Sequence, residues 1–296
     1  MKQRIITGLI LVAIVLGCMF ATREPAPMFL LLTLLAGIAS YEWFKLMPKA
    51  PLEQDGVIDF NKAKKRQTDA YLYGVIGAWI SGLLMIVPIF GQMGEIFSIL
   101  KYALLLVIIY WLVSVYWVFT FPKNDMQWYG KSLYIVGAIV IPSAAFSMFF
   151  LWKMSPWWLM YVFLLVWGAD SGAYFVGRKF GKNKLSPYVS PNKSIEGLIG
   201  GIITTVIIMI ATLILSPLSL NIVQSFVFLV VSIITVIASV QGDLFESMIK
   251  RRAGIKDSGT ILPGHGGVLD RVDSLLSATP IFLCGLYLLS LMGVVL

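Results

Sequence analysis

The feature that most limits what this chain can fold into is the spacing of its charges, which leaves nine apolar runs of about twenty residues between short polar segments. A helix rises 1.5 Å per residue, so about twenty apolar residues cross the ~30 Å hydrocarbon layer of a bilayer. The runs fall near 5–21, 28–47, 70–90, 99–121, 131–152, 156–177, 197–216, 222–242 and 275–296. With 58% hydrophobic and 13% charged residues in a chain of 296, little is left for a domain outside the membrane. The expected fold is all-α, a polytopic integral membrane protein of about nine transmembrane helices.

The basic residues orient these helices. Lys and Arg collect in cytoplasmic segments. With the N-terminus inside, 20 of the 23 fall on the cytoplasmic side, and only Arg23, Lys101 and Lys153 fall outside. That split predicts an N-in, C-out topology. It also accounts for the net charge of +8 as topology and contact with anionic lipid. No basic module of a nucleic-acid-binding type is present, so nucleic acid is not an expected partner.

The start, "MKQRIITGLILVAIVLGCMFA", has the charge pattern of a signal peptide, and "VLGC" resembles a lipoprotein cleavage site. Because another apolar run follows at once, it is read as the first transmembrane helix. Cys18 and Cys284 lie far apart in apolar runs, which indicates neither a disulfide framework nor a zinc site. The chain divides by sequence into N-terminal transmembrane helices over 1–155, about five spans, and a C-terminal transmembrane catalytic region over 156–296. The latter carries cytoplasmic loops at 178–196 and 243–274, and the whole is read as one membrane domain.

Seven of the fifteen acidic residues fall between 170 and 273, nearly all at membrane ends or in the late loops. Three polar stretches therefore face one side. They are "WGADSGAYFVGRKFGKNKLSPYVSPNKSIEG" (167–197), "QGDLFESMIKRRAGIKDSGT" (241–260) and "ILPGHGGVLDRVDS" (261–274), which holds the only histidine. Helical spacing puts Asp243, Glu246, Ser247 and Lys250 on one face, and Asp270 and Asp273 are three apart.

Carboxylates without a His or Cys cluster favour a hard cation on oxygen ligands, magnesium before others, holding a substrate's phosphates. The alternative is a set of interfacial salt bridges to Arg251, Arg252 and Arg271. Lys193, Lys250, Arg251, Lys256 and Arg271 suit phosphate charge, and the glycines of "PGHGG" let backbone amides approach an oxyanion. His265 either donates to a phosphate or makes a structural hydrogen bond. Asp170, near the cytoplasmic end of the sixth span, is a functional candidate because it is ionisable at that depth. Gly168 and Gly172, four apart, are read as helix-packing residues. Ser190, Lys193 and Ser194 either bind phosphate or, in the case of Ser194, cap the seventh helix.

These residues resemble the bacterial CDP-diacylglycerol synthase (phosphatidate cytidylyltransferase) family. Its long signature is matched here at Ser247, Lys250, Arg251, Lys256, Asp257, Gly259, Pro263, His265, Gly266, Gly267, Asp270, Arg271 and Asp273. "GADSGAY" and "SPNKSIEG" are similar to family segments upstream, although Asn192 and Ser194 depart from the common residues there. The resemblance implies cytidylyl transfer from CTP to phosphatidic acid, giving CDP-diacylglycerol and pyrophosphate, in the cell inner membrane.

On that basis Asp243, Asp270, Asp273, Lys250 and Arg271 are expected to be catalytic. Asp243, Glu246, Asp270 and Asp273 are expected to hold Mg2+, with a second cation open. Asp170, Ser190, Lys193, Ser194, Ser247, Arg251, Lys256, His265, Gly266 and Gly267 are expected to bind substrate. The expected partners are CTP, phosphatidic acid and membrane lipids, with a homodimer left open. A transporter would need ionisable residues at the midplane and two-half symmetry, neither of which is visible. The motif of CDP-alcohol phosphatidyltransferases is absent as well.

Overall fold

The computed structural model describes residues 2–47, 53–54, 57–58, 60–91, 93–123, 131–216 and 218–294. Among these the chain is all-α, with nine helices and two short hairpins. The order is α1 (Lys2–Phe20), α2 (Pro25–Leu46), β1 (Glu53–Gln54), β2 (Val57–Ile58), α3 (Phe60–Phe90), α4 (Met93–Thr120) and α5 (Lys131–Met154). It continues with α6 (Pro156–Phe180), β3 (Lys184–Ser186), β4 (Ser190–Ser194), α7 (Ile195–Leu215), α8 (Ile222–Arg252) and α9 (Leu269–Leu291).

Seven helical segments among the described residues are long and apolar enough to cross a membrane. They lie at Pro25–Leu46, Lys65–Phe90, Ser132–Met154, Pro156–Phe180, Ile195–Leu215, Ile222–Arg252 and Leu269–Leu291. The chain is a multi-pass membrane protein. Within α1 and α4 the qualifying apolar stretches, Ile6–Phe20 and Leu105–Thr120, are shorter.

The largest differences from the boundaries read off hydropathy fall at four helix ends, one of them the start of α4 at Met93 rather than 99. The third helix starts at Phe60 rather than 70, the eighth runs to Arg252 rather than 242, and the ninth begins at Leu269 rather than 275. Hydropathy finds the apolar segment, whereas the backbone stays helical wherever the residues favour it. "NKAKKRQ" and "DLFESMIKRR" are rich in Lys, Arg, Ala, Leu and Gln or Glu, which are strong helix formers. Within 178–196, expected as a loop, α6 reaches Phe180 and the antiparallel β3–β4 hairpin fills most of the remainder. Of the basic loop expected at 48–69, residues 48–52, 55–56 and 59 lie outside the described residues, and α3 takes in the part from Phe60 onward.

The chain gathers into two compact units, each drawing residues from both sides of position 155. The first comprises 1–90, 125–149 and 249–272. Its core holds Trp43, which is 1% exposed and donates its indole N–H to the Leu133 carbonyl at 2.9 Å. Phe44, Tyr73 and Tyr134 form an aromatic cluster beside it.

The second unit comprises 91–124, 150–248 and 273–296, with Trp158, Tyr161, Phe228 and Phe282 packed ring to ring. Helices α6 and α7 of this unit approach at the level of their backbones. A Cβ on Gly172 would lie 2.1 Å from Thr204 Oγ1 and 2.9 Å from the Gly200 carbonyl, and one on Gly200 would lie 2.5 Å from Val176 Cβ. The reading of Gly172 as a packing residue is borne out. Gly172→Val should force α6 and α7 apart at a cost of about 1–3 kcal/mol, as overpacking does. A thermal unfolding series in detergent that leaves the midpoint unmoved would contradict this close approach.

Candidate active site

Several of the polar residues singled out in the sequence gather into two clusters, one in each unit. In the second unit, β4 presents Lys193, whose ammonium meets Asp243 Oδ2 of α8 at 2.6 Å. Ser247, one helical turn beyond Asp243, donates its hydroxyl to Asp243 Oδ1 at 3.2 Å. Asp170 of α6 interacts electrostatically with both Lys193 and Asp243. Two carboxylates and an ammonium are thus held together by three separate elements. About a quarter to a third of the Lys193 and Asp243 side chains stays accessible, at 26% and 30%.

Local chemistry explains the placement. Ser194 is the N-cap of α7 and accepts from the Gly197 N–H at 3.1 Å, so it fills the capping role read for it. Glu196, in the first turn, accepts from the backbone N–H of Lys182 and Asn183 and from the Asn183 side-chain amide. These bonds tie the start of the β3–β4 hairpin to the helix N-terminus, where a carboxylate is favoured. Ser190 pairs in register with Ser186, and the hairpin is thereby set to bring Lys193 to α8.

In the first unit the glycine-rich segment 257–270 is folded by its own turn residues. Leu262 accepts from the His265 N–H at 2.9 Å, with Pro263 and Gly264 between them and Gly264 at φ 76°. Pro at the second position and a positive-φ residue at the third define a type II turn, and only Gly takes that third position without strain. Leu262 and Gly266 then pair as an antiparallel bridge.

Asp270, in the first turn of α9, fixes this segment from below. Its Oδ1 meets Lys250 Nζ at 2.7 Å and the Ser258 N–H at 3.1 Å. Its Oδ2 accepts from Ser258 N at 2.9 Å and Gly267 N at 2.8 Å. Each oxygen therefore has two donors, and Asp270 would have to release one to take a metal. Arg271 spans the segment by donating Nε and Nη2 to the His265 carbonyl, at 3.1 and 2.9 Å.

A cavity of about 380 Å3 opens in this segment, lined by Lys256, Asp257, Gly259, Thr260, His265 and Arg271 among others. Its basic side chains and glycine backbone suit an anion the size of a phosphate group or a short phosphate chain. His265 lines it with its ring over Gly8 of α1, and His265 Nδ1 is buried without a hydrogen-bond partner among the described residues.

Four other expected site residues do not line the cavity. Arg251 is exposed in the last turn of α8 and does not line the cavity, and Gly267 is buried beneath it. Glu246 is 1% exposed within α8, and Asp273 accepts from the Ser274 N–H at 2.7 Å. Among the described residues, no group of three or more His, Cys, Asp or Glu gathers as a metal site. Asp170 and Asp243 nonetheless supply hard oxygen donors, and magnesium is commonly held by one or two carboxylates together with substrate phosphates. The Asp170–Asp243 cluster therefore fits such an ion.

One residue that the sequence reading passed over stands out. Glu42, inside the apolar α2, is 0% exposed and accepts from the Leu269 N–H at 2.8 Å and the Ser258 hydroxyl at 3.3 Å. An acid within "SYEWFKL" was the available signal, since an ionisable residue in a span needs a partner.

The sequence profile of the cytidylyltransferase family matches residues 2–289. A phosphatidate cytidylyltransferase of Haemophilus influenzae is 35% identical over 297 residues, covering 95% of this chain and 97% of that protein. One from Pseudomonas aeruginosa is also 35% identical, over 285 residues and 95% of each chain. A Staphylococcus haemolyticus protein of the same name is 51% identical over 124 residues, 42% of this chain and 46% of that one.

Proposed function

The chain belongs to the cytidylyltransferase family, and on that premise we propose that it transfers the cytidylyl group of CTP to phosphatidate, forming CDP-diacylglycerol and pyrophosphate. The observation that carries this reading is the full-length correspondence, 95% of the chain, with bacterial proteins named for that reaction. A phosphate oxygen of phosphatidate forms the new bond to the α-phosphorus of CTP. The bond from that phosphorus to the bridging oxygen breaks, and pyrophosphate leaves with the electron pair. A phosphate monoester is already largely ionised at neutral pH, so no strong general base is needed.

The residues divide the work by charge. Lys193 is positioned by Asp243 to meet a phosphate, with its ammonium already desolvated on one side. Lys256 and Arg271, with the backbone around Gly264 and Gly266, receive a second anionic group at the cavity. Magnesium is the proposed cation, with Asp243 and Asp170 the carboxylates open to it, and Glu246, Asp270 and Asp273 remain expected members of its surroundings. When bound, it would neutralise charge on the transferring phosphate.

The membrane arrangement proposed is nine spans, N-in and C-out, in a bacterial inner membrane with both clusters on the cytoplasmic side. The 20-to-3 partition of basic residues supports it. The lipid's acyl chains would then stay in the bilayer while the nucleotide arrives from water.

The test is pyrophosphate release by the purified chain in detergent–lipid micelles. Release should require CTP, phosphatidate and magnesium together, and a chelator should abolish it. Well-folded protein that releases nothing under these conditions would remove the reading.

A further inference from the structure

The glycine-rich segment is gripped by two carboxylates, and only one of them, Asp270, belongs to the segment itself. The other is Glu42, 227 residues before Leu269 in the chain and on a different helix. Leu269 is the first residue of α9, so its N–H is one of the groups a helix cannot satisfy internally. Glu42 Oε2 takes that N–H at 2.8 Å and the Ser258 hydroxyl at 3.3 Å, holding both ends of the segment through one oxygen. Ser258 in turn gives its backbone N–H to Asp270.

Two glycines of the segment, Gly259 and Gly267, lie against the same carboxylate. A Cβ on Gly259 would lie 2.2 Å from Glu42 Oε1, and one on Gly267 would lie 2.5 Å from Oε2. Both are far inside contact distance, and the Glu42 side chain they would strike is fully buried. Neither glycine has a positive φ among the described backbone. What demands glycine at 259 is therefore the space that Glu42 occupies, and at 267 the space that Ser258 Oγ and Glu42 occupy together, rather than backbone conformation.

We propose that Glu42 is a positioning residue for the reaction, acting as an external cap on α9 that sets Ser258–Leu269, and with it the Lys256–Arg271 cavity, to receive substrate phosphate. The burial of an acid within a membrane-spanning helix is offset where an oxygen finds donors, and the two donors to Oε2 belong to the segment, while Oε1 has no hydrogen-bond partner among the described residues. This inference rests on the reading of the cavity as part of the cytidylyltransferase site.

The test compares the wild-type chain with Glu42→Leu, which keeps the bulk and removes the acceptors. Two readouts are taken, amide hydrogen exchange across 257–270 and the separate kcat and KM for CTP. Faster exchange at Leu269 and its neighbours is expected, with exchange in α6 and α7 unchanged. The KM for CTP should rise about tenfold or more with a smaller change in kcat, because a displaced phosphate cradle weakens ground-state and transition-state binding alike. Glu42→Gln, which retains one acceptor for Leu269, should recover most of that loss.

Unchanged exchange together with unchanged KM would overturn the proposal, as would a fall in kcat alone. Should Glu42→Leu fail to fold, Gly259→Ala carries the test by pushing a methyl group against the carboxylate. The same exchange and KM changes are expected, and their absence overturns the proposal. If the wild-type chain releases no pyrophosphate, the reading of the site fails, while the exchange comparison still decides whether Glu42 holds the segment.

Discussion

Asp243→Asn is expected to slow pyrophosphate release by about three orders of magnitude while leaving the unfolding midpoint within a degree or two of wild type. The substitution keeps an oxygen for the Ser247 hydroxyl and almost the same volume, so little packing is lost. What disappears is the negative charge 2.6 Å from Lys193 and its electrostatic link to Asp170. Without it, Lys193 no longer has a fixed direction, and the pair of carboxylates proposed for magnesium becomes a single one. Loss of one aligned electrostatic contact costs roughly 10²–10³ in rate in comparable sites, and this change removes two at once. The measurement is kcat from single-substrate titrations of CTP at saturating phosphatidate and magnesium. A variant keeping more than a tenth of wild-type kcat would show that Asp243 is a structural partner of Lys193 and nothing more.

The second large effect concerns stability. Lys250 and Asp270 are largely withdrawn from solvent, with side chains 11% and 7% exposed, and they meet at 2.7 Å. Lys250→Met would leave a buried carboxylate with its backbone donors and no counter-charge. Breaking one side of such a pair costs about 3–5 kcal/mol, several times the value of an exposed ion pair. Lys250→Met/Asp270→Asn should be less destabilised than Lys250→Met alone, because the stranded charge is gone. Chemical unfolding of the three proteins in one detergent would measure this. If Lys250→Met costs under about 1 kcal/mol, the pair is screened by water and Asp270 depends on its backbone donors instead.

Much of this architecture was legible in the sequence because bilayer thickness imposes one length on every span. Positions such as Pro25–Leu46 and Ile195–Leu215 are apolar for that reason and fold where expected. The motif from Ser247 to Asp273 was equally legible, since its glycines, acids and bases stand close together in the chain. Ser194 as a cap and Gly172 as a contact residue followed from local rules.

What stayed hidden depended on neighbours distant in sequence or on helix propensity outside the membrane. Hydropathy is blind to "NKAKKRQ", whose helix is made by backbone preference. It is equally blind to the hairpin that carries Lys193 to Asp243. Glu42 was hidden for a different reason. Its meaning lies in Leu269, and nothing within its own helix indicates that an N-terminus elsewhere needs an acceptor. For the same reason, Gly267 within "PGHGG" read as a sign of backbone freedom, although Ser258 and the buried Glu42 carboxylate are what crowd it.

The Pro263–Gly264 turn carries a consequence for the rhythm of turnover. Proline removes one backbone rotation from the unfolded chain, and the turn, the Leu262–Gly266 bridge and the Arg271 fork narrow the rest once the protein has folded. The conformational entropy of this segment, about 1–2 kcal/mol per ordered residue, is surrendered at folding rather than at each encounter with a nucleotide. Where the cavity receives phosphate as proposed, a segment already ordered adds little further loss of main-chain freedom to each binding event.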